Sequence, residues 1–178
     1  SSDSSHVITA YGNVTHSIDK QKFGGTSMYF GGAAGDYLTA PDSTDFDFEL
    51  EDFTVDCWVM RNGTQAGSDA IISKYETAGW ILEFGATANT IRWRDQAGGA
   101  TDISGSTVLT DLTWNHVAVT RAGTVFRLFI NGIQEDTVTT SYNYNPSTMD
   151  EVLYIGRYSD GNTSGMTGYL DEIRISKG

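Results

Sequence analysis

The stretch "VFRLFINGIQEDTV", Val125 to Val138, places two strand-like runs on either side of Asn131-Gly132. Asn and Gly both accept the positive φ that a two-residue type I′ turn requires, so the segment predicts an antiparallel hairpin. Working outward, strict alternation recurs. In "FTVDCWVM", Phe53, Val55, Cys57 and Val59 share one face, and Thr54, Asp56, Trp58 and Met60 share the other. "WNHVAVTR" sets Val117 and Val119 opposite His116, Ala118 and Thr120. Further strands are predicted at "TSMYF", "DYLTA", "AIISKY", "GWILEFG", "TIRWRD", "VLYIGRY" and "YLDEIRIS", separated by Gly, Asn, Asp and Ser clusters. The 3.6-residue period of an amphipathic helix is missing throughout. About a dozen short strands at this spacing predict an all-β, two-sheet antiparallel jelly-roll sandwich.

The 178 residues suit one domain over the whole of 1–178, and 39% hydrophobic residues can fill a core. A formal charge of -12 repels phosphates, which argues against nucleic acid and anionic lipid as partners, and it attracts cations. No stretch approaches the roughly 20 apolar residues of a membrane span, so membrane insertion is not expected. The single Cys57 excludes an intrachain disulfide and lies on a core-facing parity. A start at "SSDSSH", without Met or a signal sequence, is read as a piece excised from a larger multidomain protein.

The closing run "GYLDEIRISKG" poses a question. Simple alternation puts Tyr169, Asp171, Ile173 and Ile175 on one side and Leu170, Glu172, Arg174 and Ser176 on the other. If the isoleucine side is buried, Asp171 is buried with it, and an ionised carboxylate there needs donors or a cation. Backbone N–H groups from a neighbouring loop are one answer. Calcium, which takes six to eight oxygen ligands, is the other.

The order "KFGGTSMYFGGAAGDYLTAP", "DFTVDCWVM", "AIISKY", "TWNHVAVTR", "VFRLFINGIQ", "YIGRY" and "GYLDEIRISKG" resembles the laminin-G-like, or concanavalin A-like, jelly-roll superfamily from about Lys22 onward. "DSSHVITAYGNVTHS" leading into "KFGGTSMYF" looks like the copies found in bacteriophage tail-fibre and tail-tip proteins and in large bacterial extracellular proteins. The resemblance implies an extracellular or virion-surface location. It also implies a structural calcium, held in calcium-bearing relatives by an Asp on the last strand with early-loop carbonyls. Asp171 matches that Asp, the carbonyls of Gly31 and Gly32 and the carboxylates of Asp3 and Asp36 are the candidate co-ligands, and the ion would tie the N-terminal segment to the closing strand.

An enzyme is not expected. Retaining glycosidases need two carboxyl groups about 5 to 5.5 Å apart. The Glu-x-Asp-x-x-Glu string that the resemblance would supply is missing, and Asp171-Glu172 point to opposite faces of a regular strand. His6, His16 and His116 show no metal-ligand spacing, and His116 reads as a buried structural histidine. For a ligand, sugars stack on flat aromatic rings and pair with Asp, Asn and Arg. The candidates are Trp93 with Arg92 and Arg94 in "IRWRD", Tyr142 and Tyr144 in "SYNYNPS", and Tyr158, Asp160 and Asn162 in the loop before the last strand. If Trp93 is inward, Arg92 and Arg94 face out. Two functions stay open: a non-catalytic binding module for cell-surface polysaccharide or glycoprotein, and a structural domain contacting neighbouring subunits of a fibre or virion.

Overall fold

The computed structural model describes residues 5–63, 69–75, 78–85, 87, 89–95, 99–144, 151–158 and 165–178. Their strands are β1 (Thr9–Tyr11), β2 (Thr15–Ser17), β3 (Ser27–Gly31), β4 (Tyr37–Ala40), β5 (Phe53–Arg61), β6 (Ala70–Tyr75) and β7 (Gly79–Phe84), then β8 (Ile91–Asp95), β9 (Ile103–Ser104), β10 (Asn115–Ala122), β11 (Val125–Ile130), β12 (Ile133–Thr139), β13 (Leu153–Ile155) and β14 (Thr167–Lys177). They form two antiparallel sheets of seven, ordered β1-β4-β13-β6-β7-β8-β9 and β12-β11-β10-β5-β14-β3-β2. This is the expected jelly-roll sandwich.

The opening hairpin forms between β11 and β12, with Asn131 at φ 52 and Gly132 at φ 80. Asn131 does a second job: its Oδ1 accepts from the His116 N–H at 2.9 Å, and its Nδ2 donates to Asn115 Oδ1 at 2.9 Å, which fixes the turn to β10. On β5 the alternation holds, with Phe53, Val55, Cys57 and Val59 all buried between the sheets. Burial, and secondarily the Asp56 charge, pushes the Cys57 thiol far up, which makes it a small core hydrophobe.

Across the core, Trp80 and Trp93 stack with centroids 5.1 Å apart, and Phe48 stacks on Phe53 at 4.0 Å and on Trp80 at 5.1 Å. Both indoles keep a partner for their N–H: Trp80 donates to the Phe46 carbonyl at 3.2 Å, and Trp93 donates to the Tyr144 hydroxyl at 2.9 Å. The chain of polar contacts continues from Tyr144 to Thr101 Oγ1 at 2.8 Å, and from Thr101 to Asp95. A dry core accepts these groups because each has its partner.

The alternation expected for the closing strand is corrected. Leu170, not Tyr169, lies in the core, while Tyr169 packs against Tyr29 on the outer face with centroids 5.0 Å apart. The register of β14 against β5 slips between Asp171 and Arg174, and Glu172 takes the left-handed φ of 48. An inserted residue of this kind is a β-bulge, and it reverses the sides of everything after it. Ile173 and Ile175 therefore rejoin Leu170 against the core. Asp171 never shares a face with them.

Candidate functional site

On the outer face of the second sheet, the register sets Trp58 between His116 of β10 and Asp171 of β14, and sets Asp56 between Ala118 and Arg174. Asp56 is almost fully buried, and three donors converge on it. Arg174 reaches it with Nε at 3.0 Å from Oδ2 and Nη2 at 3.3 Å from Oδ1, and His116 Nε2 lies 3.3 Å from Oδ1. His116 is thus half-exposed on the outer face, a correction to its expected burial. Its ring is tilted against Trp58 at 5.3 Å.

Asp171 builds the opposite wall. Its Oδ2 accepts the backbone N–H groups of Lys22 at 2.8 Å and Phe23 at 3.0 Å, and its Oδ1 accepts that of Glu172 at 2.9 Å. This pins the segment before β3 over the sheet. Phe23 then meets Trp58 edge-on at 5.7 Å, and the Lys22 ammonium sits 3.9 Å from the Trp58 ring centroid. Between these walls lies a cleft of about 380 Å³, with Asp56, Trp58 and His116 at its base and Phe23, Glu172, Ile173 and Arg174 around it. Replacing Asp171 by Ala is expected to cost about 1–3 kcal/mol through the orphaned amides, and to speed hydrogen exchange at the amides of Lys22 and Phe23. Unchanged exchange there would show that Asp171 does not hold the wall.

The family described as the concanavalin A-like lectin/glucanases superfamily, in its laminin-G form, matches residues 30–178. The chain belongs to this superfamily. No curated protein sequence matches it. Among solved structures it is similar to the binding domain of Paraclostridial Mosquitocidal Protein 1, with TM-score 0.77 and 14% identity over 97% of this chain and 44% of that one. It is also similar to domain 4 of AbnA, a GH43 extracellular arabinanase from Geobacillus stearothermophilus in complex with arabinotriose, with TM-score 0.74 and 15% identity over 97% and 82% of the two chains. The botulinum neurotoxin serotype G binding domain gives TM-score 0.70 and 13% identity over 99% and 44%. The chain therefore spans less than half the length of the two toxin binding domains. At these identities the likeness shows a shared fold.

Within this superfamily frame, the residues predicted to touch a ligand fall elsewhere. Trp93 and Tyr144 are 0% exposed. Both are core residues rather than stacking platforms, and burial raises the Tyr144 hydroxyl far above its ordinary value despite its bonds to Thr101 and Trp93. The apolar environment that "SYNYNPS" conceals is supplied by Phe48, Phe53 and Phe126, whose rings surround Tyr144. Tyr142 is half-buried edge-on to Tyr144 at 4.9 Å.

With Trp93 inward, Arg92 and Arg94 face outward on the first sheet as expected, and both pair with Glu83. That carboxylate is 0% exposed, so the arginines are spent on compensating it. Tyr158 packs edge-on against Tyr75 at 5.2 Å, with the Arg94 guanidinium 5.4 Å from its ring. Asp160 and Asn162 lie outside the described residues.

Asp171 does not meet the other expected calcium ligands. Asp3 lies outside the described residues. Asp36 is buried, with Oδ1 accepting the Asn13 N–H at 2.8 Å, and it sits so close to Gly31 that a Cβ there would come within 2.8 Å of its Oδ2. Gly32 is instead packed against Thr167. Gly31 pairs with Thr167, four residues before Asp171 on the same strand. That separation is about 13 Å at the rise of a β-strand, against ligand distances of about 2.3–2.6 Å for calcium. Asp36 and Asp171 cannot share an ion, and Asp171 already has three backbone donors. Among the described residues, no group of three or more His, Cys, Asp and Glu is placed to hold a metal. No helix of the described residues is long and apolar enough to cross a membrane.

Sequence patterning hides the cleft because Trp58 reads as a core filler within its strand and His116 as a buried structural histidine. One signal was available: Trp58, Asp56 and His116 fall on the polar parity of their strands, and an aromatic ring on that parity must lie on an outer face.

Proposed function

We propose that this superfamily member is a non-catalytic carbohydrate-binding module that recognises cell-surface polysaccharide or glycoprotein through the Trp58 cleft, at an extracellular or virion surface. The observation that carries the reading is the combination, in one cleft, of an indole face with rigidly held polar groups. Asp56, Arg174 and His116 brace one another, so their remaining donors and acceptors are preorganised for hydroxyls. The volume lies within the roughly 300–1,000 Å³ of small-ligand sites. Domain 4 of the arabinanase, which shares the fold, holds arabinotriose.

Two features favour binding over hydrolysis. Asp56 is committed to Arg174 and His116, whereas a glycosidase acid or nucleophile must be free to exchange a proton or attack. Glu172, the other carboxylate of the cleft, is an exposed rim residue.

The reading is tested by titrating the domain against a panel of bacterial and algal polysaccharides, alongside Trp58→Ala. A specific hit that weakens about tenfold or more in the variant, with an unchanged melting temperature, is the expected result. A blank panel on folded protein would remove the carbohydrate reading and turn attention to contacts with fibre or virion subunits.

A further inference from the structure

The Trp58 ring at the base of the cleft already carries an ammonium group. Lys22 Nζ lies 3.9 Å from the centroid of Trp58 and 5.5 Å from that of Phe23. An ammonium in such a place is held by the ring quadrupole. Lys22 reaches it only because Asp171 fixes the backbone of Lys22 and Phe23 above the indole.

The electrostatics around this position are unbalanced. Asp56, Asp171 and Glu172 bring three carboxylates to the cleft and its wall, against the cationic Arg174 and Lys22. Arg174 is bound by two nitrogens to Asp56, and among the described residues Asp171 is answered by backbone N–H groups and no cation. Among the described residues, no cation is paired with Glu172. The bulge holds it in a left-handed conformation and turns it toward the rim shared with Phe23 and Trp58. A non-glycine residue kept at positive φ carries strain that a regular strand would not, and bulges recur where a side chain must be re-aimed. The protein as a whole is also strongly acidic, at -12.

We infer that the cleft reads a protonated amine on its sugar: the ligand is a glycan containing hexosamine units with free amino groups, whose ammonium lies between Glu172 and the Trp58 ring in place of Lys22. The inference rests on the carbohydrate reading above and narrows it. N-acetylation would remove the charge and add bulk at the position where Glu172 and the indole demand a cation.

The test is calorimetric titration at physiological salt with short glucosamine oligomers, the corresponding N-acetylglucosamine oligomers, and spermine, using the wild-type chain, Glu172→Gln and Lys22→Met. The glucosamine oligomers should bind at least about tenfold more tightly than the acetylated ones. Glu172→Gln should lose most of that preference while keeping its melting temperature. Lys22→Met, which empties the position, should bind the glucosamine oligomers as tightly or more tightly.

Equal binding of acetylated and free-amine oligomers would overturn the inference and leave the carbohydrate reading standing. Binding of spermine with the same dependence on Glu172 would show that an amine is read without its sugar. Binding unmoved by Glu172→Gln would be general attraction to an acidic protein, and would overturn it equally. Failure of these oligomers together with a blank polysaccharide panel would end both readings, whereas their failure beside a neutral polysaccharide hit would end this one alone.

Discussion

Trp93→Ala will lower the unfolding free energy by about 3–5 kcal/mol, because it removes an entire indole from a packed interior. Trp93 is 0% exposed, stacks on Trp80 and lies 5.5 Å from Phe53, and its N–H is the donor that satisfies the buried Tyr144 hydroxyl. The truncation opens a cavity and strands one hydrogen bond of the chain leading through Thr101 to Asp95. Denaturant titration measures the loss. Any glycan binding found for the wild type under the proposed function should persist in the fraction that stays folded, since the Trp58 cleft is on the far side of the second sheet. A loss of binding with undiminished stability would return Trp93 to the ligand site and sink the core assignment.

An effect of similar size is expected at Lys74, whose side chain is 0% exposed. Strand β6 carries it inward opposite Trp80, and its ammonium contacts Asp42, Asp47 Oδ1 at 3.1 Å and the Glu151 carbonyl at 3.1 Å. Asp42 is partly open to solvent, but Asp47 is buried. Lys74→Ala leaves the Asp47 charge without its cation, a change that costs about 3–5 kcal/mol where it has been observed. Lys74→Met combined with Asp47→Leu removes both charges and keeps the volume, and should recover most of the stability. If the double variant is as unstable as Lys74→Ala, the ion pair contributes more than the burial of an uncompensated charge, and the desolvation account fails.

The contrast between these two sites shows what the sequence could disclose. Trp93 and Cys57 sit on the apolar parity of their strands, and the structure buries both; reading Trp93 as a ligand contact set that parity aside. Nothing in "AIISKY" marks Lys74 for burial, because its partners come from residues 42, 47 and 151, which no local pattern connects to it. The hairpin at Asn131-Gly132 was legible since its cause is local: two residues that tolerate positive φ. The bulge at Glu172 was not. Glutamate has no preference for a left-handed backbone, and the slip arises from pairing with β5 more than a hundred residues away. That single unreadable residue moved Asp171 from the core side to the outer face, and with it changed the expected metal ligand into the clamp that walls the cleft. Alternation sets Trp58, Asp56 and His116 on the faces opposite the valines, but His116 is expected buried and is half-exposed, and the meeting of the three depends on the β10-β5-β14 order, which alternation alone does not supply.

That strand order also constrains how the chain is made. In the second sheet β14 is not an edge but an interior strand, flanked by β5 on one side and β3 on the other. On a ribosome, β3 and β5 emerge well before β14 and have no direct pairing with each other, so their shared border waits for β14 to clear the exit tunnel. The clamp from Asp171 to Lys22 closes across a separation of 149 residues. Topologies dominated by such distant pairings fold slowly, and until residue 177 is free the nascent sheet exposes two unzipped borders. A chaperone that shields strand edges during synthesis would find its longest task here, and a truncation that removes β14 would leave β3 and β5 without the strand that hydrogen-bonds them into one sheet.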